Sequence, residues 1–503
     1  MAPNGTQFTF VSGGNGPVAG DVLLVPLLSK PHPPMELATR VDKLCDDAVS
    51  ELLALRELRE EAGLLLHTTR AGACRRILAV TLGDAKKLNA NEVRKAAGNA
   101  ARWLIGERLT SATLWLDGLL TCGVEQAAAE WATGMVLAGF KFAEYKKDED
   151  KAPAKVRVDL RASESGLVER GLPEVQRAIV AADAVNYARR LAHQPANVIN
   201  PATLADDARN LARSRKLRCT VFTTPQLKKL KMNGLIAVGQ GARRPACLIQ
   251  LEYRGARGVR ARTVLVGKAI TFDTGGYSIK PAQGLEEMKF DKSGGCVVLG
   301  VLRAAADLKL KCNLVGLIAA AENAVSEKAY LPGDILRMMS GKTVEVNNTD
   351  AEGRLVLGDA LWYAQEKLGP TALIDLATLT GGVSVALGRA AAGLMSNDDT
   401  LAADLGEAGR RAHERLWRLP LWDDYRELIK SNEADIKNSA GKRDAHTIVG
   451  GMFLKEFVKD GVPWAHLDIA GVANEENGKG PLCKGSTGFG VRLLLEFLRN
   501  RGA

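Results

Sequence analysis

Asp350, Glu352 and Arg354 occupy alternate positions in NNTDAEGRLVLGDALWYA, directly ahead of a run with the spacing of a buried helix. Two carboxylates this close repel each other when both are ionised, so the pair calls for a positive partner or a shared proton. A bound cation meets that need, and so does a solvated loop. Two further stretches have the same character: VGKAITFDTGGYSIKP carries Lys268, Asp273 and Lys280, and EEMKFDKSGG carries Asp291. Glycines at 267, 275, 276, 294, 295 and 353 flank these charges, where backbone must turn sharply or approach another group closely. Two divalent cations would neutralise the four carboxylates, as in a two-metal hydrolase. Oxygen ligands suit magnesium or manganese, but zinc also accepts carboxylates, so ligand type leaves the metal open. Each acid alone reads as a turn former or helix cap. Together, glycine-hinged acids beside buried strands point to a cation site.

The elements that must position them alternate. Before residue 150, DVLLVPLL and CRRILAVTLG read as strands, and ELATRVDKLCDDAVSELLAL and GVEQAAAEWATGMVLAGFKFAEY read as helices. The polar, proline-containing KKDEDKAPAKVRVDLRASESG suggests a boundary, and LPEVQRAIVAADAVNYARRLAHQ a long connecting helix. Beyond it, TVLVGKAITFD, CNLVGLIAAAEN and TALIDLATLT read as strands, with GCVVLGVLRAAADLK and RLVLGDALWYAQEKL as helices between them. The expectation is an α/β protein with a smaller amino-terminal α/β domain (1–172), a linking helix (173–195) and a larger domain (196–503) built on a doubly wound mixed sheet. Ligands in such sheets gather at the carboxyl ends of strands, where these charges lie.

The whole chain sets outer bounds. Its 503 residues, 46% hydrophobic and 25% charged, are those of a globular protein with a sizeable interior. No apolar run is long enough to span a bilayer, and the start lacks a secretory pattern, so no membrane partner and a cytoplasmic location are expected. The eight cysteines form no CxxC pair and the six histidines no HxxxH or HxH pair, so a metal must rely mainly on oxygen. The formal charge of +10 is concentrated between Arg213 and Arg262, where thirteen Lys or Arg accompany one acid, Glu252. That segment reads as a solvated basic face, with nucleic-acid binding as the alternative. The early GGNGPVAG lacks the lysine of a phosphate loop and reads as a turn.

VGKAITFDTGGYSIKP, MKFDKSGG, NNTDAEGRLVLGDAL and DLATLTGG resemble, in order and spacing, the signatures of the leucyl aminopeptidases, the two-metal family also called cytosol aminopeptidases. The likeness runs from HQPANVINPATLA to STGFGVRLL near the end. It implies a homohexamer with two divalent ions per subunit, zinc or manganese. Lys268, Asp273, Asp291 and Glu352 would hold one ion, and Asp273, Asp350 and Glu352 the other. Lys268 would ligate as a neutral amine. The substrate's free amine would bind one ion, Lys280 would help polarise the scissile carbonyl, and a metal-activated water would attack it. Arg354 would carry a bicarbonate acting as general base. Met288, Thr378 and Gly381 would line the pocket for the first side chain, giving release of amino-terminal residues, leucine favoured, from short peptides. Three positions depart from the pattern or stand outside it. Lys292 replaces an apolar residue and would either add positive potential or point away, ENAVSEK replaces a Met-Pro-Ser-Gly sequence, and His446 reads as a surface histidine.

Overall fold

The computed structural model describes residues 5–13, 20–30, 41, 47–54, 62–63, 65–69, 76–147, 155–478 and 480–501. The chain divides into two compact units. The first comprises Met1–Asn186 with Glu475–Gly485. Its strands are β1 (Gln7–Ser12), β2 (Leu23–Lys30), β3 (Leu65–Thr69), β4 (Arg76–Asp84), β5 (Ser111–Trp115) and β6 (Lys155–Arg161), in the order β1-β6-β5-β2-β4-β3. Every pairing is parallel except β3 with β4. DVLLVPLL and CRRILAVTLG thus supply β2 and β4. The helix Ala90–Gly106 starts at Asn89, whose side chain accepts from the Asn91 and Glu92 amides, and the helix Ala127–Ala138 packs on it through Gly134. Of the helix expected in ELATRVDKLCDDAVSELLAL, Ala48–Ala54 is helical and much of the rest lies outside the described residues, as does Gly14–Ala19 of GGNGPVAG.

The connecting helix spans Ser165–His193, longer than the sequence suggested because SGLVERG continues it ahead of Pro173. The division between units falls within it, after Asn186.

The second unit comprises Tyr187–Asn474 with Ser486–Ala503. Its strands begin with β7 (Arg218–Phe222), β8 (Cys247–Arg254), β9 (Thr263–Asp273), β10 (Asn313–Asn323), β11 (Ile335–Arg337) and β12 (Thr343–Glu345). They continue with β13 (Ala372–Ala377), β14 (Ala392–Ser396), β15 (Leu416–Arg418), β16 (Ile436–Lys437) and β17 (Trp464–Asp468). The main sheet runs β15-β14-β17-β13-β9-β10-β8-β7, parallel through β17-β13-β9-β10 and antiparallel at β14-β17, β10-β8 and β8-β7. This is the mixed, doubly wound sheet expected.

The central strand β9 is buried along nearly its whole length, as a strand covered on both faces must be. On one face Val264, Val266 and Ile270 join Leu355, Val356 and Ala360 of the helix Glu352–Leu368 in one apolar cluster. On the other, Gly267 and Ala269 press on Gly295 of the helix Ser293–Asp307, so closely that a Cβ on Gly267 would lie 2.6 Å from the Gly295 Cα. A small sheet, β11-β12-β16, brings the chain after β16 alongside the loop that follows β12.

Candidate metal centre

β9 carries Lys268 along its length and Asp273 at its end, and the parallel register sets Asn323, the last residue of β10, beside Asp273. The Asn323 amide donates to Asp273 Oδ1 at 2.8 Å and to the Thr349 carbonyl at 3.1 Å, so one side chain orients a ligand candidate and ties down the loop that carries Asp350. The chain after β9 doubles back at Gly275, whose φ of +85° strains any side chain and whose missing Cβ would sit 3.0 Å from Asp350 Oδ1. The return brings Lys280 Nζ to 3.0 Å from Asp273 Oδ2 and into an ion pair with Asp350.

Asp291 is the last residue but one of the 3-10 helix Leu285–Lys292, and Glu352 is the first residue of the helix Glu352–Leu368. Between them lies Lys268 Nζ, 2.9 Å from Asp291 Oδ2 and 2.7 Å from Glu352 Oε1, while donating to the Thr378 carbonyl at 2.9 Å. Gly353 leaves room for this ammonium: a Cβ there would stand 2.8 Å from Nζ. Thr378, just past β13, donates its hydroxyl to Asp291 Oδ1 at 2.6 Å.

The loop 347–351 is clamped from outside. The fully buried Asn438, reached through β16, accepts from the Asn347 amide at 3.0 Å and donates to the Asn348 carbonyl at 2.7 Å, and its carbonyl takes the Arg354 guanidinium. Tyr330 donates to the Thr349 carbonyl at 2.8 Å. Sequence reading passed over Asn323, Asn438 and Tyr330. Asn323 had a signal, a polar residue ending an apolar strand run within the divergent ENAVSEK; the other two act from distant segments and had none.

The cluster is short of positive charge. Asp273, Asp350 and Glu352 bring one oxygen each within 4.8 Å of one another. Burial, reinforced by Asp273, pushes Glu352 up to about 8, and burial outweighs Lys268 to push Asp291 up to about 6. Burial also raises Asp350 against the pull of Lys280. Burial pushes Lys268 down, but Asp291, Glu352 and Asp273 together hold its ammonium above the ordinary range, and Lys280 behaves likewise. Glu352 Oε2 is buried without a hydrogen-bond partner, and Asp291 Oδ2 meets Lys268 off the hydrogen-bonding direction. Carboxylates held out of water, with oxygens left unsatisfied, fit divalent cations.

The other residues expected at the site lie around this cluster. Arg354 is buried, lowered to about 10 by burial against Glu352 and Asp468, and its Nε has no hydrogen-bond partner. Met288 is half-buried, and Gly381 faces open space. Gly381 borders a cleft of about 980 Å³ whose wall also includes Ser278, Asn348, Val385, Arg443 and His446. His446 is therefore no simple surface residue: it starts the helix His446–Lys455, half-buried against Gly382, because a glycine there leaves space for the ring. Lys292 is buried, and its ammonium donates to the Gln194 carbonyl at 2.9 Å and to the Lys289 carbonyl. Burial lowers it to about 8. In the basic segment, Arg215 pairs with Asp307 at 3.1 Å, and Arg254 and Arg218 meet Glu252 at 3.0 and 4.0 Å. Among the described residues no helix is long and apolar enough to cross a membrane.

Comparison with known proteins converges on one group. A probable cytosol aminopeptidase of Geotalea uraniireducens (strain Rf4) is 44% identical over 464 residues, covering 91% of this chain and 92% of that protein. One from Geobacter sulfurreducens is 42% identical over 474 residues, covering 92% and 93%. The solved structure of the bottromycin maturation enzyme BotP in complex with Mn is similar with a TM-score of 0.85 and 32% identity, covering 96% of this chain and all of that one. Residues 186–495 match the catalytic domain of the cytosol aminopeptidase family and residues 24–149 its N-terminal domain. A buried acidic cluster at the carboxyl edge of a mixed sheet is thus set within a chain alike over nearly its whole length to these enzymes, and the protein belongs to the cytosol aminopeptidase family.

Proposed function

We propose that the chain is a two-metal aminopeptidase releasing amino-terminal residues, leucine favoured, from short peptides. The observation that carries this reading is the cluster of Asp273, Asp291, Asp350 and Glu352 with Lys268 among them, its carboxyl oxygens only partly satisfied by the protein's own donors. Lys268, Asp273, Asp291 and Glu352 would hold one cation, and Asp273, Asp350 and Glu352 the second. When bound, the cations supply Lewis acidity and lower the pKa of water. Lys268 would join as a ligand only as a neutral amine, a form that adjacent divalent charge would favour. Manganese is supported by the related BotP structure, and zinc by the tolerance of that ion for carboxylates.

The protein's own groups supply the rest. Lys280 stands at the edge of the cluster, where its ammonium stabilises an oxygen that gains charge as the carbonyl carbon turns tetrahedral. The buried, unpartnered Nε of Arg354 supports an anion there, bicarbonate, placed to accept a proton. Met288, Thr378 and Gly381 form the pocket for the first side chain. The same reading carries a cytoplasmic homohexamer, checked by its mass in solution. Nucleic-acid binding through residues 213–262 is less favoured, since Arg215, Arg218 and Arg254 already face carboxylates.

The test is hydrolysis of a leucine anilide before and after chelation, with zinc, manganese or cobalt restored and metal counted per chain. Activity lost on chelation and regained at two metals per chain supports the reading. Bound metal without hydrolysis of any free-amine peptide overturns it.

A further inference from the structure

The cleft beside Gly381 is lined in part by Ser278 and Asn348, from the two loops that also carry Lys280 and Asp350. Ser278 stands two residues before Lys280, and Asn348 two before Asp350. Its lining combines apolar and basic residues. Val385, 90% exposed, is among the apolar ones, with Ala386, Leu419 and Ile448. Lys442 and Arg443 are basic, and none of the described residues lining the cleft is acidic. The two cations differ. Lys442 is compensated by Asp444 at 2.8 Å, whereas Arg443 is exposed and has no carboxylate partner among the described residues. Burial and then Arg354 hold His446 below its ordinary value, with Asp468 opposing and Arg443 adding to the shift.

From this geometry we infer that Arg443 forms a carboxylate subsite on the leaving side of the scissile bond, selecting short peptides whose terminal carboxylate follows an apolar residue. The inference rests on the aminopeptidase reading. A peptide entering amine first leaves its far end in this cleft, where the apolar residues cover a side chain and the guanidinium offers paired donors to a carboxylate. An acidic side chain presents the same chemistry as a free carboxyl terminus, so the two sources are separated by the choice of substrate.

The experiment compares kcat and KM for Leu-Leu, Leu-Leu amide and Leu-Glu amide, near neutral pH, in the metal-loaded wild type and in Arg443→Gln and Arg443→Lys. In the wild type, Leu-Leu is expected to exceed its amide about fivefold in kcat/KM, through KM, the scale of one part-exposed ion pair. Arg443→Gln brings the ratio towards one, and Arg443→Lys keeps part of it. Leu-Glu amide behaving like Leu-Leu assigns the same subsite to side-chain carboxylates as well. Equal rates for acid and amide in the wild type, or an acid preference that survives Arg443→Gln, overturns the subsite while leaving the aminopeptidase reading intact. No hydrolysis of any of the three overturns both.

Discussion

Glu352 and Asp359 lie on one helix, about two turns apart, both buried, and burial holds both well above the usual carboxylate range, to about 8 and about 7. They differ in what meets their oxygens. Asp359 accepts from three backbone amides, Gly234 at 2.7 Å, Leu235 at 3.1 Å and Met339 at 2.9 Å. Glu352 has Lys268 on one oxygen and no hydrogen-bond partner on the other. Burial and a shifted pKa alone therefore do not separate a structural carboxylate from a reactive one. Saturation by the protein's own donors does: Asp359 pins the helix to the segments around Gly234 and Met339, and Glu352 is left open to something the chain does not supply.

Substitutions can break or sharpen this contrast. The largest effect is expected for Asp273→Ala, which removes a carboxylate shared by both proposed ions: activity should fall more than about a thousandfold, with metal content falling alongside. Retention of both metals would refute the assignment of Asp273. Asp359→Ala should do the opposite, leaving metal content near that of wild type while lowering stability by about 3 kcal/mol, since three buried amides lose their acceptor. Urea titration of the chelated protein measures this, and an unchanged midpoint would erase the contrast.

Arg354→Ala should keep two metals per chain and slow turnover about a hundredfold, within the range for a lost proton acceptor. Metal loss in that variant would show that Arg354 supports the cluster and not an anion. Asn323→Ala, which removes one of the two N–H donors that orient Asp273 Oδ1 and leaves that of Gly275, should weaken metal affinity about tenfold, read by competition with a chelating dye.

The smallest effect is a slope. Because the folded state holds the Asp359 proton to about pH 7 and the unfolded chain releases it near the ordinary 3.8, the folded state binds more protons between these limits. Its contribution to stability is full below the lower limit and declines as pH rises to the upper one. Asp359→Asn should flatten that part of the stability profile, and an unaltered slope would show that the carboxyl titrates normally.

Much of this was legible because it is local. An apolar run marked β9 as a strand, and acids following strand-like runs placed Asp273 and the 350–354 group at the carboxyl edge of the sheet. The resemblance then named the full set. What escaped depends on register and on distant chain. Asn323 meets Asp273 only because β9 and β10 pair in parallel, and Asn438 reaches Asn347 only because β16 lies beside β12. The resemblance puts Thr378 at the pocket, and its hydroxyl also turns to Asp291, a direction no spacing rule contains. The sequence allows Lys292 two orientations, and the carbonyls of Gln194 and Lys289 decide where its ammonium goes.

Lys268 and Thr378 meet across 110 residues of chain, with Asp291 and Glu352 arriving from two segments in between. During synthesis Lys268 and Asp273 therefore emerge well before Glu352 exists, and no pair of neighbouring residues offers an incoming ion more than a fragment of the final cage. The cage closes only when β9, β10 and β13 have paired and both flanking helices have docked. On the proposed two-metal reading, loading would therefore follow the folding of this unit and not precede it.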